Sequence, residues 1–440
     1  FARNLLRLCE KHLLYSKMTY QNTLNFAHQL DNKDPLKKYR DQFYIPQING
    51  KPTIYFSGNS LGLQPKNVRA AIEQELLDWE KLATNAHFHG KNPWFHYHKF
   101  LTGATAKLVG AKPDEVVVMN SLTVNLHLML VSFYRPTQNR FKIITENKPF
   151  PSDRYALESQ VKYHGFTPEE AIIELMPEEG AHTLHTEDIL KTIRSVGKKL
   201  ALVMIGGVNY YSGQAFDMEA IAKAAREVGA VAGFDLAHAA GNLKMNLHDW
   251  NVDFAVWCTY KYLNSGPGGA AGAFVHEKHG GDPDIPRFAG WWGYDEEDRF
   301  LMKKGFKPMK GAAGWQLSNA PIFPMAVQKT ALDIFDEAGM DAIVQKSQLL
   351  TGYLEYLLNE IKKEKDMFEI ITPSDKKQRG CQLSLLFYKN GKEIYDKLTQ
   401  AGVMADWREP SIIRVAPVPL YNTFEEVYRF AEMLKSVIDH

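Results

Sequence analysis

Two polar residues at the ends of neighbouring apolar runs are the strongest chemical signal in the sequence. Asp235 lies near the end of the run at residues 230–237. Lys261 follows the run at residues 254–260 and leads into a Gly/Pro-rich turn. A lysine amine forms a Schiff base with the aldehyde of pyridoxal phosphate, and a carboxylate pairs with its pyridinium nitrogen, so that the ring accepts electrons. A lone lysine at a strand end is more often a solvated surface cation. Together with Asp235, however, Lys261 predicts a pyridoxal phosphate site.

The apolar pattern predicts the elements that carry these two residues. From about residue 53 to residue 319, β-type runs alternate with amphipathic stretches. This alternation favours an α/β fold with a mainly parallel sheet covered by helices on both faces. Such sheets bind ligands at the carboxyl ends of their strands, so we expect residues 53–320 to form a large cofactor-binding domain. Its expected strand, helix, strand and strand around the site are residues 202–208, 218–228, 230–237 and 254–260.

The chain after residue 320 has a different pattern. Two long helical stretches precede two β-type runs, and a Thr-x-x-Glu capping-box signal at Thr423 opens a final amphipathic helix. These segments predict a smaller α+β domain at residues 321–440, with residues 18–52 packed against it. Residues 1–17 are mostly apolar and basic, and we interpret them as a leader or an extension. The expected helices and strands are residues 325–338, 341–362, 382–387, 411–415 and 423–438.

Composition argues against several classes of partner. The 52 basic and 51 acidic residues give a net charge of +1, which provides no electrostatic footprint for nucleic acid or an anionic membrane. No apolar stretch reaches the length of a membrane span. The expected partner is therefore a small molecule. Cys9, Cys258 and Cys381 are widely spaced and follow no metal-ligand pattern, which favours a reducing compartment, the cytoplasm.

Two predicted helix starts provide further contacts for the cofactor. A strand at about residues 115–119 runs into a helix that begins near Leu122 and Thr123. Unpaired N–H groups at a helix start attract anions, so we expect the phosphate there. A further strand is expected at residues 141–145, and a second capped helix start follows it at Phe150, Pro151, Ser152 and Asp153.

Four histidines lie within a short stretch, at His87, His89, His96 and His98. No cysteine or carboxylate stands beside them at ligand spacing, and they do not follow the H-x-x-x-H register of a zinc-binding helix. We therefore expect no metal at this segment.

Several segments resemble the kynureninase family, whose members are fold-type I pyridoxal phosphate enzymes related to the aspartate aminotransferases. The resemblance covers about residues 20–440, with its motifs in the family order. The matching segments are GFDLAH at residues 233–238, WCTYKYLN at 257–264, FYIP at 43–46, YFSGNSLGLQP at 55–65 and RVAPVPLYN at 414–422.

The resemblance assigns roles to individual residues. It implies that Lys261 binds the cofactor and moves the Cα proton, and that Asp235 stabilises the protonated ring. Tyr260 is the candidate acid for the Cβ carbanion. The implied cofactor contacts are Leu122, Thr123, Phe150, Pro151, Ser152, Asp153, Asp235, His238, Tyr260, Lys261, Trp291 and Asn319. The implied substrate contacts are Ser60, His87, Asn319 and Arg414, of which Arg414 binds the α-carboxylate.

The reaction implied by the resemblance is hydrolytic cleavage of the Cβ–Cγ bond of 3-hydroxy-L-kynurenine or L-kynurenine. The products are 3-hydroxyanthranilate or anthranilate and L-alanine, in tryptophan catabolism and NAD biosynthesis. Ser60, His87 and Asn319 resemble a pocket that accommodates the 3-hydroxyl group, so the hydroxylated substrate is expected to be preferred. Some site residues of this fold reach across a dimer interface, which implies a homodimer.

Two positions depart from the family pattern, and two alternative functions stay open. Asn209 stands where a histidine is expected in close animal relatives. Gly206 stands where relatives often carry a hydroxyl residue near the cofactor, and a glycine cannot make that side-chain hydrogen bond. A cysteine desulfurase-like enzyme would share the fold but needs an accessible thiol on a mobile loop. A non-catalytic binding protein of this fold would be expected to lack Lys261 or Asp235, and both are present.

Overall fold

The computed structural model describes residues 19–439, so the predicted leader at residues 1–17 and Cys9 lie outside the described residues. The helices are Leu24–Lys33 (α1), Val68–Leu82 (α2), Ala86–His89 (α3), Lys99–Val109 (α4), Leu122–Phe133 (α5), Pro151–Tyr163 (α6), Pro168–Ala171 (α7), Thr186–Val196 (α8), Met218–Glu227 (α9), Glu277–Gly280 (α10), Ile322–Ala338 (α11), Met340–Glu364 (α12), Gly391–Gln400 (α13) and Phe424–Asp439 (α14). The strands are Gln47–Ile48 (β1), Lys51–Pro52 (β2), Ile54–Tyr55 (β3), Val116–Met119 (β4), Lys142–Glu146 (β5), Ile172–Leu175 (β6), Leu200–Gly206 (β7), Val231–Asp235 (β8), Phe254–Trp257 (β9), Ala271–Val275 (β10), Phe368–Ile370 (β11), Leu383–Phe387 (β12), Val403–Met404 (β13), Asp406–Arg408 (β14) and Ile412–Val415 (β15).

A seven-stranded sheet lies at the centre of the larger part of the molecule. Its strand order is β4-β10-β9-β8-β7-β5-β6, and β10 runs antiparallel to both of its neighbours, whereas the other pairs are parallel. Successive residues of β7 belong to different core clusters: Leu202 and Met204 pack on one face, Val203 and Ile205 on the other. The sheet is therefore buried on both faces, which confirms the predicted α/β class.

The site-bearing strands begin and end close to the predicted positions, with two informative differences. The strand expected at residues 202–208 is Leu200–Gly206, so Gly206 is its last residue. The strand expected at residues 254–260 ends at Trp257, which pairs with Gly272 of β10. The chain then turns away, because the Thr259 hydroxyl donates to the Ala270 carbonyl at 2.6 Å and Asn264 has a positive φ of 55°. Lys261 thus lies in a loop beyond the strand.

A second, four-stranded antiparallel sheet has the order β11-β12-β15-β14. Helices α12 and α14 cover it with a core that includes Leu354, Leu358 and Phe430. The capping box predicted at Thr423 is present: the Thr423 hydroxyl accepts from Glu426 N at 3.1 Å, and the Glu426 carboxylate accepts from Thr423 N at 3.0 Å.

The N-terminal helix α1 packs against the C-terminal helix α14. Ala27 and Leu30 belong to the same core as α12 and α14. The Asp31 carboxylate accepts the free N–H groups of Phe424 and Glu425 at 2.8 and 3.0 Å, and so caps α14. Strand β3 also pairs in parallel with β13. The domain boundaries at residues 52/53 and 320/321 stay predictions.

None of the helices within residues 19–439 combines the length and the apolar character that crossing a membrane requires.

Candidate active site

A cavity at the carboxyl ends of β5, β7 and β8 brings most of the predicted site residues together. Nine predicted residues line it: Leu122, Thr123, Phe150, Ser152, Asp153, Asp235, His238, Tyr260 and Lys261. Glu146, Gly206, Val208, Tyr210 and Ala237 complete the wall. The position at the strand ends is where parallel sheets bind their ligands.

Lys261 reaches the cavity from the loop after β9. Its Nζ lies 5.6 Å from the centroid of the Phe150 ring and 6.0 Å from that of Tyr260. The loop at residues 57–62 is fixed against the lysine loop, because Gly62 N donates to the Tyr260 carbonyl at 2.8 Å. A Cβ at Gly62 would lie 2.3 Å from the Lys261 carbonyl oxygen. Only a glycine allows the two loops to approach this closely.

Asp235 ends β8 and is 7% exposed. Its Oδ1 accepts the Ala237 N–H at 2.6 Å. Burial raises the pKa of Asp235, whereas this hydrogen bond and the charge of Lys261 oppose the rise. Burial, followed by the charge of Asp235, raises the pKa of Asp153 well above its ordinary value. The pKa values of both carboxyl groups are therefore shifted upwards, so the pair retains a proton above the range in which an aspartate ordinarily ionises.

Two buried polar atoms in the cavity lack a partner among the described residues. They are Oδ1 of Asp153 and Nδ1 of His238. Burial lowers the pKa of His238 well below its ordinary value, and the charges of Lys261 and Arg414 add to the effect, so the imidazole is neutral. Unpaired buried polar groups cost free energy. The cavity is therefore shaped for a ligand that supplies polar atoms.

Two helices begin at the same cavity and create an anion-binding corner. Leu122 is the first residue of α5, and no side chain caps this helix at Ser121. Ser152 lies in the first turn of α6, and its hydroxyl is 2.7 Å from that of Thr123. Free N–H groups and the dipoles of two helix starts favour a phosphate at this corner. Pro151 does not line the cavity, but as the first helical residue it sets the start of α6.

The predicted carboxylate-binding arginine lies beside the cavity. Arg414 is 1% exposed, and its Nη1 donates to the carbonyl oxygen of Tyr210, a residue of the cavity wall, at 2.7 Å. Its Nη2 lies 3.3 Å from the Ser60 hydroxyl. The guanidinium also pairs with Asp406, its register partner across β14 and β15, with Nε 3.0 Å from Oδ1. Arg414 and Ser60 thus form one polar group that adjoins the cavity.

Three predicted residues lie away from the cavity wall. The Trp291 side chain is 44% exposed, and its Nε1 is 3.4 Å from the carbonyl oxygen of Arg299. His87 Nδ1 lies 3.0 Å from the Thr84 carbonyl oxygen. Asn319 is exposed just before α11. Their assignment to the site stays a prediction.

Sequence reasoning missed four residues of the cavity wall, Glu146, Val208, Tyr210 and Ala237, of which Glu146 and Tyr210 make polar contacts. Glu146 ends the apolar run of β5 in the same way as Asp235 ends β8. That signal was readable, but the strand had been expected to end at Thr145. The backbone carbonyl of Tyr210 accepts from Arg414, and a backbone contact leaves no signal in the residue type.

The two described cysteines do not have the environment of reactive thiols. Cys258 and Cys381 are both buried. Burial raises their thiol pKa values to about 11 and about 12. A desulfurase nucleophile needs an accessible thiolate, which neither side chain offers.

Comparison of the sequence with known proteins identifies the family of this chain. Residues 343–434 match the model of the kynureninase C-terminal domain. The kynureninase of Flavobacterium psychrophilum is 54% identical over 422 residues, which cover 96% of this chain and 99% of the relative. The kynureninase of Myxococcus xanthus is 54% identical over 417 residues, 94% and 97% of the two chains. That of Nematostella vectensis is 49% identical over 432 residues, 93% of each chain.

Solved structures with a similar backbone include cysteine desulfurases. The apo enzyme of Thermococcus onnurineus superimposes with a TM-score of 0.74 at 18% identity, over 92% of this chain and 98% of that chain. A cysteine desulfurase of Escherichia coli gives the same TM-score at 15% identity, with the same coverage. Likeness at this level of identity establishes the fold of the chain but not its reaction.

Proposed function

This chain belongs to the kynureninase family, and on that premise we propose that it hydrolyses the Cβ–Cγ bond of 3-hydroxy-L-kynurenine and L-kynurenine. The products are 3-hydroxyanthranilate or anthranilate and L-alanine. The observation that carries the proposal is the convergence of Lys261, Asp235 and Tyr260 on one cavity beside Arg414. A binding protein without catalysis would have no need for this combination.

Pyridoxal phosphate fits the residues of the cavity. Lys261 would hold its aldehyde, Asp235 its ring nitrogen, and the helix starts at Leu122, Thr123 and Ser152 its phosphate. The unpaired atoms of Asp153 and His238 would find polar partners there. When bound, the cofactor supplies an electron sink that stabilises negative charge at the substrate carbons.

The chain's own residues divide the proton transfers between them. The Lys261 amine takes the proton from the substrate Cα. Burial raises the pKa of Tyr260 well above 10, so its hydroxyl stays protonated at neutral pH and can deliver a proton to Cβ as the carbon–carbon bond breaks. Water adds to the carbonyl carbon next to the ring of the substrate.

Arg414 orients the amino-acid end of the substrate. Its planar guanidinium suits a carboxylate through two parallel hydrogen bonds. In the structure, Asp406 occupies one edge of the guanidinium group, with its Oδ1 2.7 Å from Arg414 Nη2. The substrate carboxylate therefore shares Arg414 with Asp406 or displaces it. Ser60, which contacts both side chains, would move between the two carboxylates.

A homodimer would explain the residues that lie away from the cavity. His87, Trp291 and Asn319 would reach the site of a second copy of the chain. In support, His87 and Trp291 adjoin exposed aromatic side chains: Phe88 and Phe300 are each 53% exposed. The Phe300 ring is 5.7 Å from that of Trp291 and 6.5 Å from that of Phe88. Exposed aromatic clusters of this kind are typical of interfaces.

We expect 3-hydroxy-L-kynurenine to be preferred over L-kynurenine, because Ser60, His87 and Asn319 would accommodate the 3-hydroxyl group. A clear advantage of L-kynurenine in kcat/KM would contradict this preference. The enzyme is proposed to act in the cytoplasm, in the breakdown of tryptophan that also feeds NAD biosynthesis.

The test is an absorption spectrum of the purified protein before and after addition of 3-hydroxy-L-kynurenine, with amino-acid analysis for alanine. A visible cofactor band that is lost in K261A, together with alanine release by the wild type, would support the proposal. A bound cofactor without alanine release would contradict the substrate. A protein that binds no pyridoxal phosphate would contradict the cofactor as well.

A further inference from the structure

A carboxyl group without a role in the proposed mechanism lies in the cofactor cavity. Glu146 is 4% exposed and lines the cavity at the end of β5. Gly206 N donates to its two oxygens at 3.1 and 3.2 Å, and the Thr145 hydroxyl donates to Oε2 at 3.2 Å. Within residues 19–439, no lysine, arginine or histidine forms an ion pair with this carboxyl group. Glu146 is therefore held by neutral donors alone.

The glycine at position 206 allows this arrangement. Gly206 ends β7, which lies between β5 and β8, and it is the register partner of Asp235. A Cβ on Gly206 would lie 3.0 Å from Oε1 of Glu146, closer than an ordinary contact. Because position 206 has no side chain, the Glu146 carboxyl group can lie against this glycine, whose register partner on the other side is Asp235.

The charges around Glu146 come from several elements. Asp235 on β8 and Asp153 on α6 are also carboxyl groups, and Lys261 of the loop after β9 carries the amine. His238 is neutral, and the Tyr260 hydroxyl is protonated. Three carboxyl groups around one amine cannot all ionise without leaving an unpaired buried charge. Burial, with a contribution from Asp235, raises the pKa of Glu146 to about 7.

We propose that Glu146 is a positioning residue that acts through Asp235. It holds a proton in the cavity, and loss of that proton places a second negative charge near Asp235, which increases the proton affinity of the cofactor's ring nitrogen. Glu146 thereby provides at the end of β5 a polar group that position 206 cannot provide. The inference rests on the proposed pyridoxal phosphate site.

The experiment follows the visible absorption of the holoenzyme, reconstituted with pyridoxal phosphate, from about pH 5.5 to pH 9. The wild type should show a spectral step within this range as Glu146 loses its proton. E146Q keeps the shape of the side chain but cannot ionise, so this step should be lost or should shift by more than about one pH unit. The matched control is E169Q, which removes an exposed carboxyl group of α7 and should titrate like the wild type.

A second variant keeps the test decisive if E146Q does not fold. T145V removes the hydroxyl that donates to Glu146 and leaves the carboxyl group in place, so the step should move to higher pH. An unchanged titration in E146Q overturns the inference; if only T145V folds, an unchanged titration in T145V does the same. In either case the proposed function still stands if alanine is released. A wild type that binds no pyridoxal phosphate overturns both.

Discussion

Two groups of buried carboxylates, one around Glu115 and one in the cofactor cavity, differ in how many of their oxygens have hydrogen-bond partners. Glu115 is 1% exposed and accepts hydrogen bonds from Lys112 N at 2.9 Å and from Glu277 N at 2.8 Å. His248 Nδ1 lies 2.9 Å from the same carboxylate. In the cofactor cavity, Asp153 retains an unpaired oxygen, and Glu146 has only neutral donors. A fully satisfied buried carboxylate holds elements together, whereas an incompletely satisfied one marks a place for a ligand.

The side chains around Glu115 also illustrate why proximity alone does not make a metal site. Glu115, His248 and His276 have potential ligand atoms within 4.8 Å of one another. However, His276 Nδ1 accepts the Lys278 N–H at 3.2 Å, and its Nε2 is 3.2 Å from the His248 carbonyl oxygen. These atoms are already used to join the end of β10 to α10 and the neighbouring loop. The cluster is therefore structural.

The largest expected effect is that of removing the amine from the cavity. K261A should lower the rate of alanine release by about 10,000-fold, because the variant loses both the cofactor attachment and the group that moves the Cα proton. K244A is the control, since Lys244 pairs with Asp341 at an exposed position and should leave the rate unchanged. The assay is alanine release under saturating substrate. A K261A rate within tenfold of the wild type would contradict the role of Lys261.

The second prediction contrasts the two clusters directly. D235N should reduce kcat by about 100-fold to 1,000-fold, because a neutral amide cannot stabilise a positive ring. E115Q should instead lower the free energy of unfolding by about 2 kcal/mol, because it weakens charge-assisted hydrogen bonds, and it should leave kcat unchanged. Urea unfolding and steady-state kinetics of both variants measure the two effects. The comparison fails if E115Q loses activity without losing stability.

The third prediction concerns the pH dependence of stability. The pKa of Glu146 is about 7 in the folded chain, against an ordinary value of 4.5, because the group is buried. The folded state therefore binds more protons between these values, and its stability falls as the pH rises from about 4.5 to 7. The loss corresponds to roughly 3 kcal/mol. Urea unfolding of the cofactor-free protein should show a loss that is smaller in E146Q by this amount, since Asp153 and Asp235, whose pKa values are also raised, remain in both proteins. An equal dependence of stability on pH in the two proteins would contradict the prediction.

The smallest expected effect comes from a residue in an intermediate environment. The Ser60 hydroxyl contacts Asp406 and Arg414 at the margin of the cavity. S60A should raise the KM for 3-hydroxy-L-kynurenine about fivefold with little change in kcat, since the loss of one neutral hydrogen bond between the Ser60 hydroxyl and the 3-hydroxyl group of the substrate costs about 1 kcal/mol. Parallel assays with L-kynurenine show whether Ser60 also affects substrate preference. A large fall in kcat would place Ser60 in the chemistry instead.

Local patterns predicted the fold class, the pair Asp235 and Lys261, and the helix starts, whereas His238 and Tyr260 were assigned through the family resemblance. Asp235 and the helix starts at Leu122 and Ser152 follow apolar strands or precede helices, and these signals can be read from residue order. Glu146 was missed although it carries the same signal as Asp235, because the strand was expected to end one residue early.

Other features required three-dimensional information. The Arg414 contact to the Tyr210 carbonyl joins positions 204 residues apart through a backbone atom, which no spacing rule detects. The space over Gly206 is filled by Glu146, a residue 60 positions earlier, because β5 and β7 are neighbours in the sheet. Such contacts depend on strand order, and strand order was not predicted.

The contact between α1 and α14 determines when the chain can finish folding during its synthesis. Asp31 caps α14 across a sequence separation of 393 residues, and Ala27 and Leu30 lie in the core that α14 closes. Most of the chain must therefore leave the ribosome before α1 can bury its apolar face. Contacts of such long range form late and leave apolar surface exposed in the meantime. The nascent chain should therefore depend on chaperone protection until its last helix emerges.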